Sequence, residues 1–233
     1  MNSARRVPAV LVMVGLSAAL LYANFFLDWV LRDFSGMGEI VSELEAPGEP
    51  NASLLRVTDV VCAVLVVSLL PWVRRGLRAG PWRELCIVAV VLFALGATVA
   101  AVVATPCGPG QVCDTARDRL QTSVHDGSSI VSDTALYVSV AAAWITTRST
   151  GPRWFRRVAW WNFWLGGVAA SVLFEYFNVT QDPAWAVGAS QRVHILFISA
   201  WIVTLALFAA WDESRRAVPG TQGLGKSPAR TSD

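Results

Sequence analysis

The chain has 233 residues, of which 54% are hydrophobic and only 15% charged, with a formal net charge of +2 and a mean hydropathy of +0.48. A soluble domain carries roughly 25% charged residues, so this composition excludes a soluble globular protein and points to lipid as solvent. Disordered and collagen-like chains are excluded too, and four Cys are too few for a disulfide scaffold.

A helix needs about 20 apolar residues to cross a hydrocarbon layer of roughly 30 Å, and six runs reach that length. The first, residues 7–31, is too long for a signal-peptide core and has no small-residue cleavage site after it, so an uncleaved helix is expected. An acidic loop follows, with Asp33, Glu39, Glu43, Glu45 and Glu49. The second run is 54–73 and the third 84–105. The fourth, 124–146, is polar in its first half. The fifth is 158–178 and the sixth 191–211. Unpaired backbone is too costly in lipid, and these runs are too long for barrel strands. The expected fold is therefore all-α: a polytopic bundle of six transmembrane helices over residues 1–216. The Gly/Ser/Pro-rich segment 217–233 is expected to be a disordered cytoplasmic tail.

Fourteen of the 19 basic residues fall in alternate loops and at the two ends, leaving Arg32, Arg56, Arg117, Arg119 and Arg192 on the other side. Thirteen of the 17 acids show the opposite bias. The bland +2 thus separates into about +10 on one side and about −8 on the other, which places both termini in the cytoplasm. Trp72, Trp82, Trp144, Trp154, Trp160, Trp161 and Trp211 fall near the inner interface, and Trp29 and Trp185 near the outer one, as aromatic-belt residues do. Eighteen Arg against one Lys, with much Ala, Val and Gly, suggests a bacterial chain, and the cell membrane is the expected location.

Cys107 and Cys113 lie in the outer-loop stretch TPCGPGQVC, where a small-loop disulfide is the default in an oxidising compartment. A redox pair is the weaker alternative, because that chemistry favours C-x-x-C over C-x5-C. Cys62 and Cys86 read as packing residues.

Ionisable groups inside spans are costly and so are functional candidates. They are Asp28, Asp59, His125, Asp126, Asp133, Glu175, Arg192 and His194, all in the outer half of the predicted topology. His125, Ser129 and Ser132 share one helical face, with Asp126 and Asp133 on an adjoining one and Ser128 beside them. A polar pocket open to the outside is expected from this stripe, lined by Asp59, Glu175, Arg192, His194 and Ser129 and binding a lipid-like or small ligand. One alternative is a membrane-embedded enzyme, a hydrolase or isoprenoid/lipid-modifying protein, with His125, Asp126 and Asp133 as acid/base or metal groups. A proton- or ion-coupled transporter is another. The third is purely structural pairing, such as Arg192 with Glu175 or Asp59. Two His in the chain are thin for zinc, and no metal site is expected with any force. No phosphate loop, dinucleotide fingerprint, H-E-x-x-H or G-x-S-x-G occurs, so the cofactor is open. No basic groove points to nucleic acid. The lipid bilayer is the expected partner, and the Arg clusters suit topology and anionic lipid.

Three segments carry a family resemblance. The first is Ser42-Glu-Leu-Glu-Ala-Pro-Gly-Glu-Pro-Asn-Ala, continuing through Leu54-Leu-Arg56 to Asp59. The second is Pro106-Cys107 followed by His125 and Ser128 or Ser129, and the third is Gly188 followed by Gln191-Arg192. In order and placement they resemble the prokaryotic multispanning membrane proteins catalogued as domain of unknown function 998. The resemblance covers about residues 8 to 212 and implies a six-helix bacterial inner-membrane protein with its motifs on the outer side. A second His often accompanies the first in that pattern. Here His125 stands alone, which weighs against a metal pair. Physically, Ala46-Pro47-Gly48-Glu49-Pro50 is a rigid turn-rich cap, with Asn51 or Ser53 placed to cap the second helix and Arg192 placed to hold a carboxylate or anionic ligand.

Overall fold

A computed structural model of the chain describes residues 6–217; residues 1–5 and 218–233, and with them nearly all of the expected tail, lie outside the described residues. The described chain is all-helical. Its elements are α1 (Arg6–Tyr22), α2 (Phe25–Leu31), a 3-10 turn (Val41–Glu45), α3 (Ala52–Gly76), α4 (Pro81–Val102) and α5 (Ala116–Thr147). Then come α6 (Arg153–Trp161), a π-helical segment (Asn162–Ala170), α7 (Ser171–Thr180) and α8 (Trp185–Arg216). Helices α3, α4, α5 and α8 are each long and apolar enough to cross a bilayer, and α1 with α2 makes a fifth span if the pair, bent by 58°, is counted as one. The expected fifth run is helical from residue 153 to 180 but is divided by the π-helical segment. Six spans therefore remain an expectation from the sequence, not a count of unbroken helices.

Local chemistry explains several boundaries. Gly80 and Pro81 open α4, where a missing N–H costs nothing because the first turn has no acceptor for it. Thr115 starts α5 two turns earlier than hydropathy suggests. Its hydroxyl accepts from Asp118 N at 3.1 Å and the Asp118 carboxylate accepts from Thr115 N at 3.2 Å, a reciprocal capping box. The break between α1 and α2 falls at Asn24, whose amide lies 2.9 Å from Asp59 Oδ1, 3.1 Å from Thr58 Oγ1 and 3.2 Å from the Leu55 carbonyl. Asn51 sits at the start of α3 but does not cap it: its amide donates instead to Asp28 at 2.8 Å, so the expected cap is replaced by a tie to α2.

Helix α4 packs along α5, α1 along α8, and α3 joins both pairs. At the α4–α5 crossing, a Cβ on Gly96 would come within 2.7 Å of the Ser128 carbonyl, so only glycine permits that approach. The core holds Phe93, Leu136, Phe155, Ile198, Trp201, Ile202, Leu205 and Phe208, all nearly free of solvent contact. Its one indole N–H, from Trp201, donates to Ser139 Oγ at 3.0 Å, as most buried polar groups do. The outward faces carry Val10, Met13, Leu20, Val64, Val88, Leu95 and Val102 exposed. An apolar girdle of this extent belongs in lipid, and the apolar helices mark a multi-pass membrane protein.

The segment between α2 and α3 folds back over one end of the bundle. Its own Leu44 and Ala46 are buried. Arg32 gathers three carboxylates, Asp28 at 3.4 Å, Glu39 at 3.1 Å and Glu49 in closer contact. From α8, Gln191 Oε1 accepts from Val41 N at 2.6 Å. Gly188 lets the Gly38–Glu39 backbone lie directly on the start of α8. The α4–α5 loop carries a Cys107–Cys113 disulfide, while Cys62 and Cys86 are free and buried.

Candidate functional site

A cavity of about 840 Å³ lies beneath the folded-back segment, among α1, α3, α4, α5, the π-helical segment, α7 and α8. Of the eight intramembrane ionisable residues, six line it: Asp59, His125, Asp126, Asp133, Glu175 and His194. Ser129 and Ser132 also face it, so the polar stripe of α5 points into the bundle as its spacing requires. Ser128 does not; its hydroxyl returns to the Val124 carbonyl of its own helix at 2.7 Å.

The remaining two candidates serve elsewhere. Asp28 is buried between Arg32 and Asn51. Arg192 is 5% exposed and lies outside the cavity lining. It does not pair with Glu175 or Asp59. Its guanidinium donates to the carbonyls of Glu39 at 2.6 Å, Gly188 at 2.9 Å and Gly36 at 3.0 Å, and it rests 5.7 Å over the Phe25 ring. The planar fork matches three convergent backbone oxygens, so Arg192 is a clamp on the folded-back segment and not a ligand arm.

The two histidines have different tasks. His125 Nδ1 lies 3.0 Å from the Ala100 carbonyl and 3.1 Å from that of Val103. Carbonyls only accept, so Nδ1 carries the proton, and the ring closes the last turn of α4. Among the described residues it makes no hydrogen bond to Asp126 or Asp133. His194 bonds Asp133 instead: Nε2 lies 3.0 Å from Asp133 Oδ2, and Nδ1 lies 3.3 Å from Ser171 Oγ. Tyr137 and Phe174 flank the imidazole, with ring centroids at 5.5 and 6.5 Å.

Two lining carboxyls come from the folded-back segment. Glu45, 5% exposed, hydrogen-bonds Asp59 across the cavity edge. Two carboxyls can share a hydrogen bond only if one keeps its proton. Burial pushes Glu45 up to about 7, against the opposing pull of the Asp59 hydrogen bond and of Arg56. Burial also raises Glu43, with the charge of Glu39 adding to it. The segment Ser42–Ala52 that carries the family resemblance contains Glu43 and Glu45, but nothing in its spacing shows that they reach the cavity, and nothing marks Ser171 off from other span serines; their partners come from helices far apart in the chain. Among the described residues, no three His, Cys, Asp or Glu side chains are grouped to hold a metal ion.

The sequence profile of the family described as a protein of unknown function (DUF998) matches residues 15–208, a stretch that includes every lining residue of the cavity. No curated protein and no solved structure matches the chain.

Proposed function

Because the chain belongs to this family of proteins of unknown function, DUF998, we propose that it is a multi-pass protein of the bacterial cell membrane, with both termini in the cytoplasm. Its cavity opens to the outer side and binds a small or lipid-like ligand with a positively charged or donor-rich head. The observation that carries this reading is the lining. It combines six carboxyl side chains (Glu43, Glu45, Asp59, Asp126, Asp133, Glu175) with two His, and holds no Lys or Arg. In a low-dielectric setting such a lining repels an anionic head and rewards a cation. The rings of Tyr22, Tyr137, Phe163 and Phe174 also border it, and aromatic faces attract cations. Ile40, Val41, Ile130, Val138 and Ile195 supply apolar wall for a chain or body. The outward opening is supported by the charge asymmetry of the loops and by the acidic segment that forms the cavity's edge.

Tetraethylammonium added to the purified protein tests the charge preference. It should raise the thermal midpoint, and Asp133→Asn should weaken the shift. An equal shift from a benzoate salt would overturn the preference. For the opening, Ser129→Cys should react with a membrane-impermeant thiol reagent applied to the outside of intact cells. Labelling only from the cytoplasmic face of inverted vesicles would overturn it.

A further inference from the structure

We propose that Ser171, His194 and Asp133 form a nucleophilic relay in this cavity, and that its substrate is an acyl ester with a lipid-like acyl group and an uncharged or cationic alcohol part. This rests on the cavity being a ligand site, and it adds a reaction to it. Three separate helices, α7, α8 and α5, bring the three side chains into one hydrogen-bonded line. The Asp133 carboxylate only accepts, so His194 Nε2 carries the proton and donates to it at 3.0 Å. Nδ1 then holds the lone pair, and it faces Ser171 Oγ at 3.3 Å. This is the chemical order of a serine–histidine–aspartate triad with the two ring nitrogens exchanged, and such triads are recognised by geometry and roles. The ring is itself 5% exposed, while Ser171 and Asp133 are each only partly buried and border the open volume.

The local backbone fits the assignment. Ser171 directly follows the π-helical segment, and such segments occur often at functional sites. Its hydroxyl has a second acceptor, the Gly166 carbonyl, also at 3.3 Å, so it is not consumed by a short bond to its own helix. The Tyr137 hydroxyl, 2.9 Å from where a Cβ on Gly166 would lie, is buried without a partner among the described residues. It is free to donate to a ligand oxygen.

In the step itself, Ser171 Oγ bonds to the ester carbonyl carbon while its proton passes to His194 Nδ1. The carbonyl π pair moves to oxygen. Asp133 holds the imidazolium. Collapse of the tetrahedral intermediate breaks the carbon–oxygen bond to the alcohol, which leaves with the proton from Nδ1. Water, deprotonated by Nδ1, then attacks the acyl-serine, and the carboxylic acid departs as Ser171 regains its proton. Ester and water become acid and alcohol, with no oxidant or metal required.

The test is an uncharged alkyl fluorophosphonate applied to the full-length protein in lipid nanodiscs, with adducts mapped by mass spectrometry. An adduct on Ser171 is expected, absent in Ser171→Ala and formed at least about 100-fold more slowly in His194→Gln, the scale of general-base assistance. Asp133→Asn should slow it by a smaller factor, and each variant is compared at matched monodispersity and thermal midpoint. An adduct that forms equally fast in both His194→Gln and Asp133→Asn would overturn the relay. If no adduct forms on Ser171 while Ser171→Cys reacts with N-ethylmaleimide, the nucleophile assignment fails and the cavity reading stands. If Ser171→Cys is also inert, both fail.

Discussion

Arg192 shows how a buried charge is held in this protein by backbone carbonyls rather than by a salt bridge. Its two terminal nitrogens reach three carbonyl oxygens on α8 and the folded-back segment, and hydrogen bonds from a charged donor are each worth more than neutral ones. Arg192→Ala would remove three hydrogen bonds from a charged donor, one of them to the Glu39 carbonyl, while Gly36 O keeps its bond from Glu39 N, and is expected to lower unfolding stability by about 3 kcal/mol. Arg192→Lys should recover less than half, because an ammonium cannot match three oxygens with a planar fork. Thermal unfolding of the purified variants measures both, and full recovery by Lys would contradict the clamp. Glu45 is the other decisive residue. Its ordinary value is 4.5, and burial raises it to about 7 in the folded protein. Between those values the folded chain binds a proton that the unfolded chain has lost. The stability contributed by the protonated Glu45 is therefore complete below about pH 4.5 and is lost as pH rises through about 7. The midpoint should fall from pH 5 to pH 8, and Glu45→Gln should flatten that fall. A Gln variant with the wild-type profile would assign the dependence to another group.

At the scale of elements, the legible part of the sequence is the part governed by hydropathy. The runs 54–73 and 191–211 lie inside α3 and α8, and the run 84–105 overlaps α4 as far as Val102, because lipid leaves an apolar run of this length no alternative to helix. Breaks within the helices are not legible in the same way. Asn24 is one polar residue in a long apolar run, and its partners Thr58 and Asp59 belong to another helix, so the 58° bend follows from a contact that pattern alone does not contain. The π-helical segment likewise has ordinary apolar composition, with Tyr137 and Phe197 pressed against Gly166 and Gly167. The candidate site was half legible for the same reason. The stripe on α5 is local and was readable from spacing. The His194–Asp133 and Glu45–Asp59 pairs are not local, and Arg192 bonds backbone carbonyls, which have no sequence signature. Gly188 links the element scale to the site: with the Gly38–Glu39 backbone directly against it, a Cβ there forces two backbones apart. Gly188→Ala should therefore destabilise by about 2 kcal/mol and make the 36–45 segment more open to protease than in the wild type. Unchanged proteolysis would show that this contact does not hold the segment down.

For the whole molecule, the governing quantity is the separation of charge along the bundle axis. The folded-back acidic segment, the Cys107–Cys113 loop and the cavity edge fall on the side to which the loops assign about −8, and the Arg-rich connections fall on the side of about +10. A topology with the loops exchanged would carry the basic side across the membrane, against the bias that sets orientation during insertion. The cysteines offer a direct reading of this, because the two free ones, Cys62 and Cys86, are buried and only the disulfide pair lies in a loop. Intact cells treated with a mild reductant and then with a membrane-impermeant maleimide should become labelled at Cys107 and Cys113, and unreduced cells should not. Labelling that appears only after the membrane is opened would reverse the orientation and would place the acidic cavity on the cytoplasmic side. Labelling without reductant would mean that the pair is reduced at the cell surface, leaving that loop untethered beside the start of α5.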